Sequence, residues 1–353
     1  MIDRIFVTDA AHDVAYTKQI LIRHGGEWER IPDADWYRDH VEPDFHDPVG
    51  AGKRHLLLDV FPGSFLRKCP GTKGRICCNY WVIDQTTNCP FDCSYCFLQN
   101  YLNTRAIRFA VKVDDLWQEL DNRFRSCGPI RVGTGELSDS LALEPLTGFG
   151  ALLVRFAADY PNVTLELKTK SDAVDGLPEV HEMDGRFVVG WTLSPRRIVE
   201  REEIHTASLQ ERLDAMLRVS EKGYRVAVHL DPMILFPDAV TEYVQLMETV
   251  LEQHQQLAWL SMAGFRYETG LKRVLEKRFP DNGILEGEFS RCGDGKYRYL
   301  FSERVRLFRA VRQTVRRRSP GTPVYFCMED RATWSCAFGS DSWKDELLAS
   351  IMG

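Results

Sequence analysis

Three cysteines occur within eight residues in the segment NCPFDCSYCFLQ, residues 88–99. Cys89, Cys93 and Cys96 have the spacing Cys-x3-Cys-x2-Cys. Three thiolates on one loop suit a [4Fe–4S] cluster in which one iron has no protein ligand, whereas four-thiolate clusters are closed. An open iron can bind an exogenous chelating molecule. The segment therefore predicts an iron–sulfur cluster with one free coordination position.

A zinc site and simple core packing are the alternatives for these thiols. A tetrahedral zinc site needs a fourth Cys or His nearby, and the closest histidine is His55. Asn88, Pro90 and Asp92 are polar or turn-forming residues that indicate an exposed loop rather than a packed core. The pattern favours the cluster over both alternatives.

Composition limits the class of protein. The chain has 353 residues, 44% of them hydrophobic, which is enough for one large core or two smaller ones. It contains no apolar run of the ~18 residues that a membrane span needs, and its first twenty residues carry charges throughout. We expect a cytoplasmic protein with no membrane association. A net charge of −6 argues against extensive wrapping of nucleic acid but leaves a local basic groove open.

Strand and helix patterns alternate along most of the chain. Short apolar runs such as IRVGTG, VTLELKT and RFVVGWTL are separated by amphipathic stretches such as SLQERLDAMLRVSEKG, which predicts βαβ units and a parallel sheet. Six or seven such units fit a partial barrel better than a doubly wound sheet, although periodicity alone does not separate these two folds. We expect an α/β protein with a partial (β/α)6-type barrel. The predicted organisation is a small N-terminal α/β domain, the barrel with a β-hairpin, and a C-terminal tail: residues 1–74, 75–330 (hairpin 285–301) and 331–353.

The cysteine segment resembles the radical S-adenosylmethionine (SAM) superfamily, which has this triad with an aromatic residue before the third cysteine, Tyr95 here. The resemblance implies that SAM chelates the open iron. One electron from the cluster then cleaves SAM to methionine and a 5′-deoxyadenosyl radical, which abstracts hydrogen from a substrate. A ferredoxin- or flavodoxin-type protein is implied as the electron donor.

Residues at the ends of the predicted strands fit this resemblance, because barrel chemistry lies at the carboxyl ends of strands. They are the implied SAM-binding residues: Tyr95, Gly133, Gly135, Glu136, Lys170, Ser194 and His229. The element GTGE would place a carboxylate near the SAM ammonium, and Lys170 would pair with the SAM carboxylate. His229 and the nearby Asp231 could equally be a hydrogen-bonded core pair.

A closer resemblance is to spore photoproduct lyases and related DNA repair enzymes. It is carried by CSYCFLQ, SDSLALEPLTG, LKTKSDAV, LKRVLEKRFP and DGKYRYLF. It implies a substrate of DNA or nucleotide-like chemistry, a thymine–thymine cross-link that the adenosyl radical opens and a cysteine then supplies with hydrogen. Lys296, Tyr297 and Tyr299 of the hairpin are implied substrate contacts.

Two residues depart from that family. The alignment places the hydrogen-donating cysteine at Glu136, and the relay tyrosine after the third cluster cysteine is Phe97, while Tyr95 matches a second relay tyrosine. A carboxylate is a poor hydrogen-atom donor. Cys327, near the end of the last predicted strand, is our candidate donor. An auxiliary metal site among Cys69, Cys77, Cys78, Cys327 and Cys336 is another interpretation of the remaining thiols.

Other functions stay open at this stage. A radical SAM enzyme of this type could act on a peptide or a small metabolite instead of DNA. The chain could also be a non-enzymatic protein whose iron–sulfur or zinc loop stabilises a nucleic-acid-binding module. Metal content and SAM cleavage distinguish these possibilities.

Overall fold

The computed structural model of the protein describes residues 2–72, 74–181 and 183–339. The strands in this part of the chain are β1 (Arg4–Thr8), β2 (Trp28–Ile31), β3 (His55–Asp59), β4 (Leu66–Lys68), β5 (Trp81–Ile83), β6 (Thr86–Thr87), β7 (Asp92–Cys93), β8 (Ile107–Ala110), β9 (Ile130–Gly133), β10 (Val163–Thr169), β11 (Phe187–Thr192), β12 (Glu203–Ile204), β13 (Arg225–Met233), β14 (Leu260–Gly264), β15 (Arg266–Tyr267), β16 (Phe289–Arg291), β17 (Tyr297–Tyr299) and β18 (Val324–Phe326).

The helices are α1 (Ala15–His24), α2 (Ala34–His40), α3 (Pro48–Gly52), α4 (Leu98–Tyr101), α5 (Val113–Ser126), α6 (Glu144–Thr147), α7 (Phe149–Ala157), α8 (Arg196–Glu202), α9 (Leu209–Glu221), α10 (Ala239–Gln253), α11 (Thr269–Arg278), α12 (Phe301–Arg318) and α13 (Arg331–Phe338). Local sequence explains several boundaries. Ser208 and Glu211 form a capping box at the start of α9, and Gly25 ends α1 in the left-handed conformation at φ 64°.

Eight strands form the main sheet in the order β18-β14-β13-β11-β10-β9-β5-β4. Within this sheet, neighbouring strands are parallel all the way from β18 through β14, β13, β11, β10 and β9 to β5. At the other edge β4 pairs antiparallel with β5. Parallel neighbours need crossover connections, and α5, α7, α9, α10 and α12 lie in those connections. The predicted α/β class is confirmed.

The sheet curls into a half-barrel. Arg131 in β9 donates a hydrogen bond of 2.8 Å to Oη of Tyr325 in β18, although β10, β11, β13 and β14 lie between these strands in the sheet. A flat sheet would hold the two strands about 24 Å apart, at ~4.8 Å per neighbouring strand. The partial barrel predicted from the sequence is therefore confirmed.

A second, five-stranded sheet has the order β2-β1-β3-β8-β6. Its first three strands come from the predicted N-terminal unit, but β8 and β6 come after residue 74. The chain thus passes from one sheet to the other and back, and the domain boundary stays a prediction. Apolar residues of both sheets contribute to one continuous core that includes Val7, Leu58 and Val189.

The predicted hairpin consists of β16 and β17, and β17 also pairs with β15 to make a three-stranded antiparallel sheet. The predicted C-terminal tail begins with α13, which packs Trp334 against Phe326 at 4.9 Å between ring centroids; its residues 340–353 lie outside the described part of the chain. In the described ranges no helix has the length and apolar character required to cross a membrane.

The buried His55 should make stability depend on pH. Its ring is 5% exposed, and its Nδ1 is 2.8 Å from Oη of Tyr37. Burial lowers the pKa of His55 to about 4, whereas an unfolded histidine titrates near 6.5. The unfolded state therefore binds more protons below pH ~6.5, and we expect a loss of roughly 3 kcal/mol of stability from this group as the pH falls to about 4.

Urea unfolding between pH 7.5 and 4 measures this effect as the difference between the protein and its His55→Gln variant. We expect the variant to show a flatter pH dependence. The exposed His46 offers the control, since His46→Gln should leave the pH dependence unchanged. Equal slopes for the protein and His55→Gln would contradict the assignment.

Candidate active site

The three cysteines of the triad lie on the segment that follows β5 and β6, called the cluster loop here, in which Cys93 ends the two-residue strand β7. Cys89 and Cys93 are buried and Cys96 is half-buried. The expectation of an exposed loop is wrong, because Asn88 and Ser94 are also only 4% and 1% exposed. Burial of such a loop requires that other parts of the chain satisfy its polar groups.

Lys53 meets much of that requirement from the N-terminal unit. Its Nζ donates to the Phe91 carbonyl at 2.7 Å and to Oδ1 of Asn88 at 3.3 Å, and the residue is 2% exposed. Burial by itself lowers the pKa of Lys53, but the charges that Cys89 and its neighbours can carry outweigh burial and raise it. Lys53 therefore holds the loop and places a positive charge beneath it.

The donor set fits an open [4Fe–4S] cluster. All ten cysteines, each within the described part of the chain, are free thiols. Burial raises the pKa of Cys89 to about 11 and also raises that of Cys93, and a metal binds such cysteines in their deprotonated form. A cubane cluster takes its cysteines on different irons, and this loop offers three thiols.

The zinc alternatives lose support. Within residues 2–72, 74–181 and 183–339, no three His, Cys, Asp or Glu side chains are arranged around a point where one metal ion could bind. This holds for the triad as a single-ion site. It also holds for the auxiliary site considered among Cys69, Cys77, Cys78, Cys327 and Cys336.

A buried carboxylate, Glu203, connects several of the predicted site residues. Tyr95 donates its hydroxyl hydrogen bond to Glu203, Ser194 Oγ donates to the same Oε1 at 3.0 Å, and Arg212 Nη2 lies 2.6 Å from Oε2. Lys170 Nζ is 5.7 Å from the centre of the Tyr95 ring. The structure thus brings Tyr95, Lys170 and Ser194 together beside the cluster loop.

Charges explain why Glu203 is ionised at this place. Burial raises its pKa, but Arg212 and Lys170 outweigh burial and lower it. Lys170 shows the reverse balance, since burial lowers its pKa while Cys93 and Glu203 raise it more. Sequence reasoning missed Glu203 because it lies in REEIHTAS, where it stands among other charged residues with no distinctive spacing.

Asp139 is a second residue that sequence reasoning missed. Its Oδ2 accepts from the Lys170 backbone at 2.6 Å, and its Oδ1 accepts from Thr169 Oγ1 at 2.7 Å and from two backbone N–H groups, Leu141 and Ala142. This carboxylate fixes the end of β10 and therefore the backbone from which Lys170 projects. The available signal was its position in SDSLALEPLTG, one of the segments that carry the family resemblance.

The glycines of GTGE are packed against protein. An added Cβ at Gly133 would collide with Tyr80 Oη and the Glu166 carbonyl, and one at Gly135 would collide with the Lys168 side chain. Both positions require glycine for close packing between β5, β9 and β10. Their contact with SAM stays a prediction.

Glu136 lies on the β4 side of the site. Its Oε2 is 3.3 Å from Arg67 Nη2, and Arg67 also pairs with Asp84. Burial raises the pKa of Glu136, and Arg67 opposes this rise. Burial, with a smaller contribution from the charge of Glu136, raises the pKa of Cys69, so one thiol lies near the position where the family carries its hydrogen donor.

His229 belongs to a buried network in the half-barrel. Its Nε2 is 2.5 Å from Glu166 Oε1, and Arg131 donates to Glu166 Oε2 at 2.9 Å. Burial, only partly opposed by Glu166, lowers the pKa of His229. This arrangement matches the core-pair interpretation for the histidine, although its partner is Glu166 rather than Asp231.

Cys327 follows β18 at the mouth of the half-barrel. Asp231 lies among charged neighbours there, with Lys168 Nζ at 3.9 Å and Arg266 Nη1 at 3.4 Å. Burial, with a contribution from Asp231, raises the pKa of Cys327 to about 12. The thiol therefore keeps its hydrogen at neutral pH, as a hydrogen-atom donor must.

The hairpin residues differ in accessibility. Tyr299 is 1% exposed, stacks on Phe289 at 4.5 Å and donates to the Ile284 carbonyl at 3.2 Å, so it is a core residue of the hairpin. Tyr297 stacks on Tyr267 at 5.2 Å and stays half-buried. Lys296 is also half-buried, with Nζ 3.9 Å from Glu268.

Comparison with known proteins gives a consistent result. The sequence model of the family described as spore photoproduct lyase matches residues 74–327. Spore photoproduct lyase of Geobacillus sp. (strain Y412MC61) is 25% identical to this chain, over 70% of the chain and 76% of that protein. The lyase of Bacillus subtilis (strain 168) is 23% identical, over 65% of the chain and 71% of that protein.

The fold is also that of solved structures. Spore photoproduct lyase complexed with dinucleoside spore photoproduct has a TM-score of 0.80 and 20% identity, over 92% of this chain and 99% of that chain. A double mutant of spore photoproduct lyase with bound AdoMet and the same dinucleoside lesion gives the same score and coverage. The likeness extends over nearly the whole chain.

Removal of the Glu203 carboxylate should be costly. Arg212 is fully buried beside it, and an unpaired buried charge typically destabilises by about 3–5 kcal/mol. We expect Glu203→Ala to lower the free energy of unfolding by that amount in urea at pH 7. Glu200→Ala breaks an exposed pair with Arg196 and should change the free energy of unfolding little, because exposed ion pairs contribute little to stability. Equal losses in the two variants would contradict the buried pair.

Proposed function

The chain belongs to the spore photoproduct lyase family of radical SAM enzymes, and we propose that it opens a thymine photoproduct in DNA. The observation that carries this proposal is the buried loop with three free thiols, which lies directly beside Lys170 and Glu203. The relatives described above are named for this lesion, and two of the solved structures contain it as a dinucleoside.

We propose that Cys89, Cys93 and Cys96 hold a [4Fe–4S] cluster. SAM, when bound to the open iron, supplies the 5′-deoxyadenosyl radical. Lys170, held at the end of β10 and cationic beside Glu203, is suited to pair with the SAM carboxylate. Ser194 is suited to meet ribose hydroxyls.

The other proposed SAM contacts act around that pair. Tyr95, whose hydroxyl is fixed by Glu203, would hold the side of the cofactor next to the cluster. Glu136, Gly133 and Gly135 remain our candidates for the ammonium end of SAM, and the close packing of both glycines supports a role in shaping that wall. His229 would support the floor of the site through Glu166.

The substrate side of the proposal involves the mouth of the half-barrel. Lys168, Asp231 and Arg266 present both signs of charge there. Lys296 and Tyr297 offer accessible surface on the hairpin, the lysine for phosphate and the tyrosine for base stacking. Tyr299 would act only by supporting the hairpin. A lesion within a duplex must be turned out of the stack to reach this mouth.

The opened lesion must regain a hydrogen atom, and Glu136 occupies the position of the family's donor cysteine. Another thiol must therefore supply this hydrogen atom. Phe97, at the relay position, is 47% exposed, and its ring centroid is 5.7 Å from that of Tyr101. A phenyl ring has no O–H hydrogen to transfer. We propose that Cys327 supplies the hydrogen atom to the opened lesion. Its raised pKa keeps the S–H bond intact at neutral pH.

We also propose an electron donor for the cluster. The electron that the cluster needs would come from a ferredoxin- or flavodoxin-type protein of the cytoplasm. Purified donors of the two classes can replace a chemical reductant in an anaerobic assay of SAM cleavage, and the donor that sustains turnover identifies the class.

Loss of one cluster ligand should abolish SAM cleavage. After anaerobic reconstitution with iron and sulfide, we expect Cys93→Ala to lose the cluster absorbance and to form no 5′-deoxyadenosine from SAM and dithionite. Cys336→Ala alters an exposed thiol far along the chain and should keep both properties. A Cys93→Ala protein that still cleaves SAM would overturn the proposed ligand set.

The proposed substrate has its own test. We expect the reconstituted protein to convert dinucleoside spore photoproduct to the thymine dinucleoside, and to move deuterium from a labelled lesion into 5′-deoxyadenosine. The same protein should transfer no deuterium from a labelled peptide or small metabolite into 5′-deoxyadenosine. SAM cleavage without any deuterium transfer from the lesion would exclude this substrate and keep only the radical SAM assignment.

A further inference from the structure

The segment between β4 and β5 crosses the open side of the half-barrel. Its two ends pair, with the Cys69 N–H donating to the Tyr80 carbonyl at 2.8 Å. Its middle reaches the opposite edge of the sheet, where the Ile76 N–H donates to the Glu329 carbonyl at 3.1 Å, two residues after Cys327. The segment therefore brings Ile76, and with it the neighbouring Cys77 and Cys78, to the end of β18.

Two adjacent thiols, Cys77 and Cys78, occupy this crossing segment. Their side chains share a hydrogen bond, and both interact electrostatically with Cys327. Cys327 and Cys78 are half-buried, whereas Cys77 is exposed. The three sulfurs thus lead from the mouth of the half-barrel to solvent.

The three thiols differ in their protonation. Cys78 donates its hydrogen bond to Cys77, which lowers the pKa of Cys77 to about 6 and, together with burial, raises that of Cys78. The Asn79 N–H, 3.4 Å from Cys77 Sγ, also favours the Cys77 thiolate. Cys327 and Cys78 therefore carry hydrogen at neutral pH, and Cys77 carries negative charge.

We propose that Cys327, Cys78 and Cys77 form a hydrogen-atom relay in which the Cys77–Cys78 pair is the reductant and ends as a disulfide. This inference rests on the proposed function and assigns a task to thiols that the lyase reaction leaves unused. It answers the two departures at Glu136 and Phe97, because neither of those side chains can supply or return a hydrogen atom.

The relay balances in four steps. The Cys327 S–H bond breaks as a C–H bond forms on the opened lesion, and the sulfur radical that remains takes the hydrogen atom of Cys78. The Cys78 sulfur radical then bonds to the Cys77 thiolate, which gives an S–S bond with one surplus electron. That electron passes to an oxidised one-electron carrier of the ferredoxin or flavodoxin class. A dithiol reductant restores both thiols, and SAM is consumed once for each lesion.

The test is a single turnover without added thiol, with deazaflavin and light as the electron source and dinucleoside spore photoproduct as the substrate. Tandem mass spectrometry after alkylation should show a Cys77–Cys78 disulfide in proportion to repaired product, and one 5′-deoxyadenosine per product. Cys77→Ala, at an exposed position, should complete no more than the first turnover even when dithiothreitol is present. Cys336→Ala should turn over repeatedly.

Different results separate the relay from the proposed function. If the unmodified protein opens the lesion but Cys77 and Cys78 stay reduced, and Cys77→Ala turns over repeatedly, the relay is wrong and the lyase function stands. If the unmodified protein transfers no deuterium from a labelled lesion into 5′-deoxyadenosine, the proposed function fails first. The relay is supported if the Cys77–Cys78 disulfide forms in proportion to product and Cys77→Ala stops after the first turnover.

Discussion

The site depends on one buried carboxylate. Glu203 has no access to water that could solvate its charge, so the fold must supply partners, and Arg212 meets it at 2.6 Å. The same carboxylate takes hydrogen bonds from Tyr95 of the cluster loop and from Ser194 at the end of β11. The need to satisfy this charge therefore holds the cluster loop against the strand ends. Lys170 then has a fixed anionic neighbour, which keeps it cationic where a carboxylate ligand is expected.

A similar requirement closes the half-barrel. Glu166 is 1% exposed, and Arg131 and His229 surround its two oxygens. Arg131 also donates to Tyr325, so the arginine that neutralises Glu166 ties β9 to β18 across the barrel. This curvature has a consequence for chemistry. It places the end of β18, with Cys327, within reach of the segment that follows β4 at the far edge of the sheet.

The departures from the family concern hydrogen transfer and leave the radical-generating part intact. The cluster loop keeps its three thiols and Tyr95, and Lys170 keeps Glu203 as an anionic neighbour. The changes at Glu136 and Phe97 remove the thiol and the phenol through which the family returns hydrogen to the opened lesion. Thiols at the other side of the mouth offer an answer, since a sulfur radical can be quenched by a neighbouring thiolate but not by a carboxylate. In this scheme SAM is consumed rather than regenerated, and an external dithiol reductant restores the thiols.

The sequence alone determined the α/β class and the three-thiol loop, because hydrophobic periodicity and cysteine spacing are local properties. The number of strand–helix units favoured a partial barrel, but its curl became visible only in tertiary contacts such as the one between Arg131 and Tyr325. The sequence also indicated Lys170 and Ser194, since both end recognisable strands. It missed Glu203 and Lys53 and expected an exposed cluster loop. A buried charge is visible only when the partner that neutralises it is known, and Lys53 lies more than thirty residues away from the loop it supports. Only the tertiary structure decided which cysteine-bearing segments meet. The backbones of Ile76 and Glu329, close to Cys78 and Cys327, become hydrogen-bonded neighbours through the curl of the sheet rather than through any spacing along the chain.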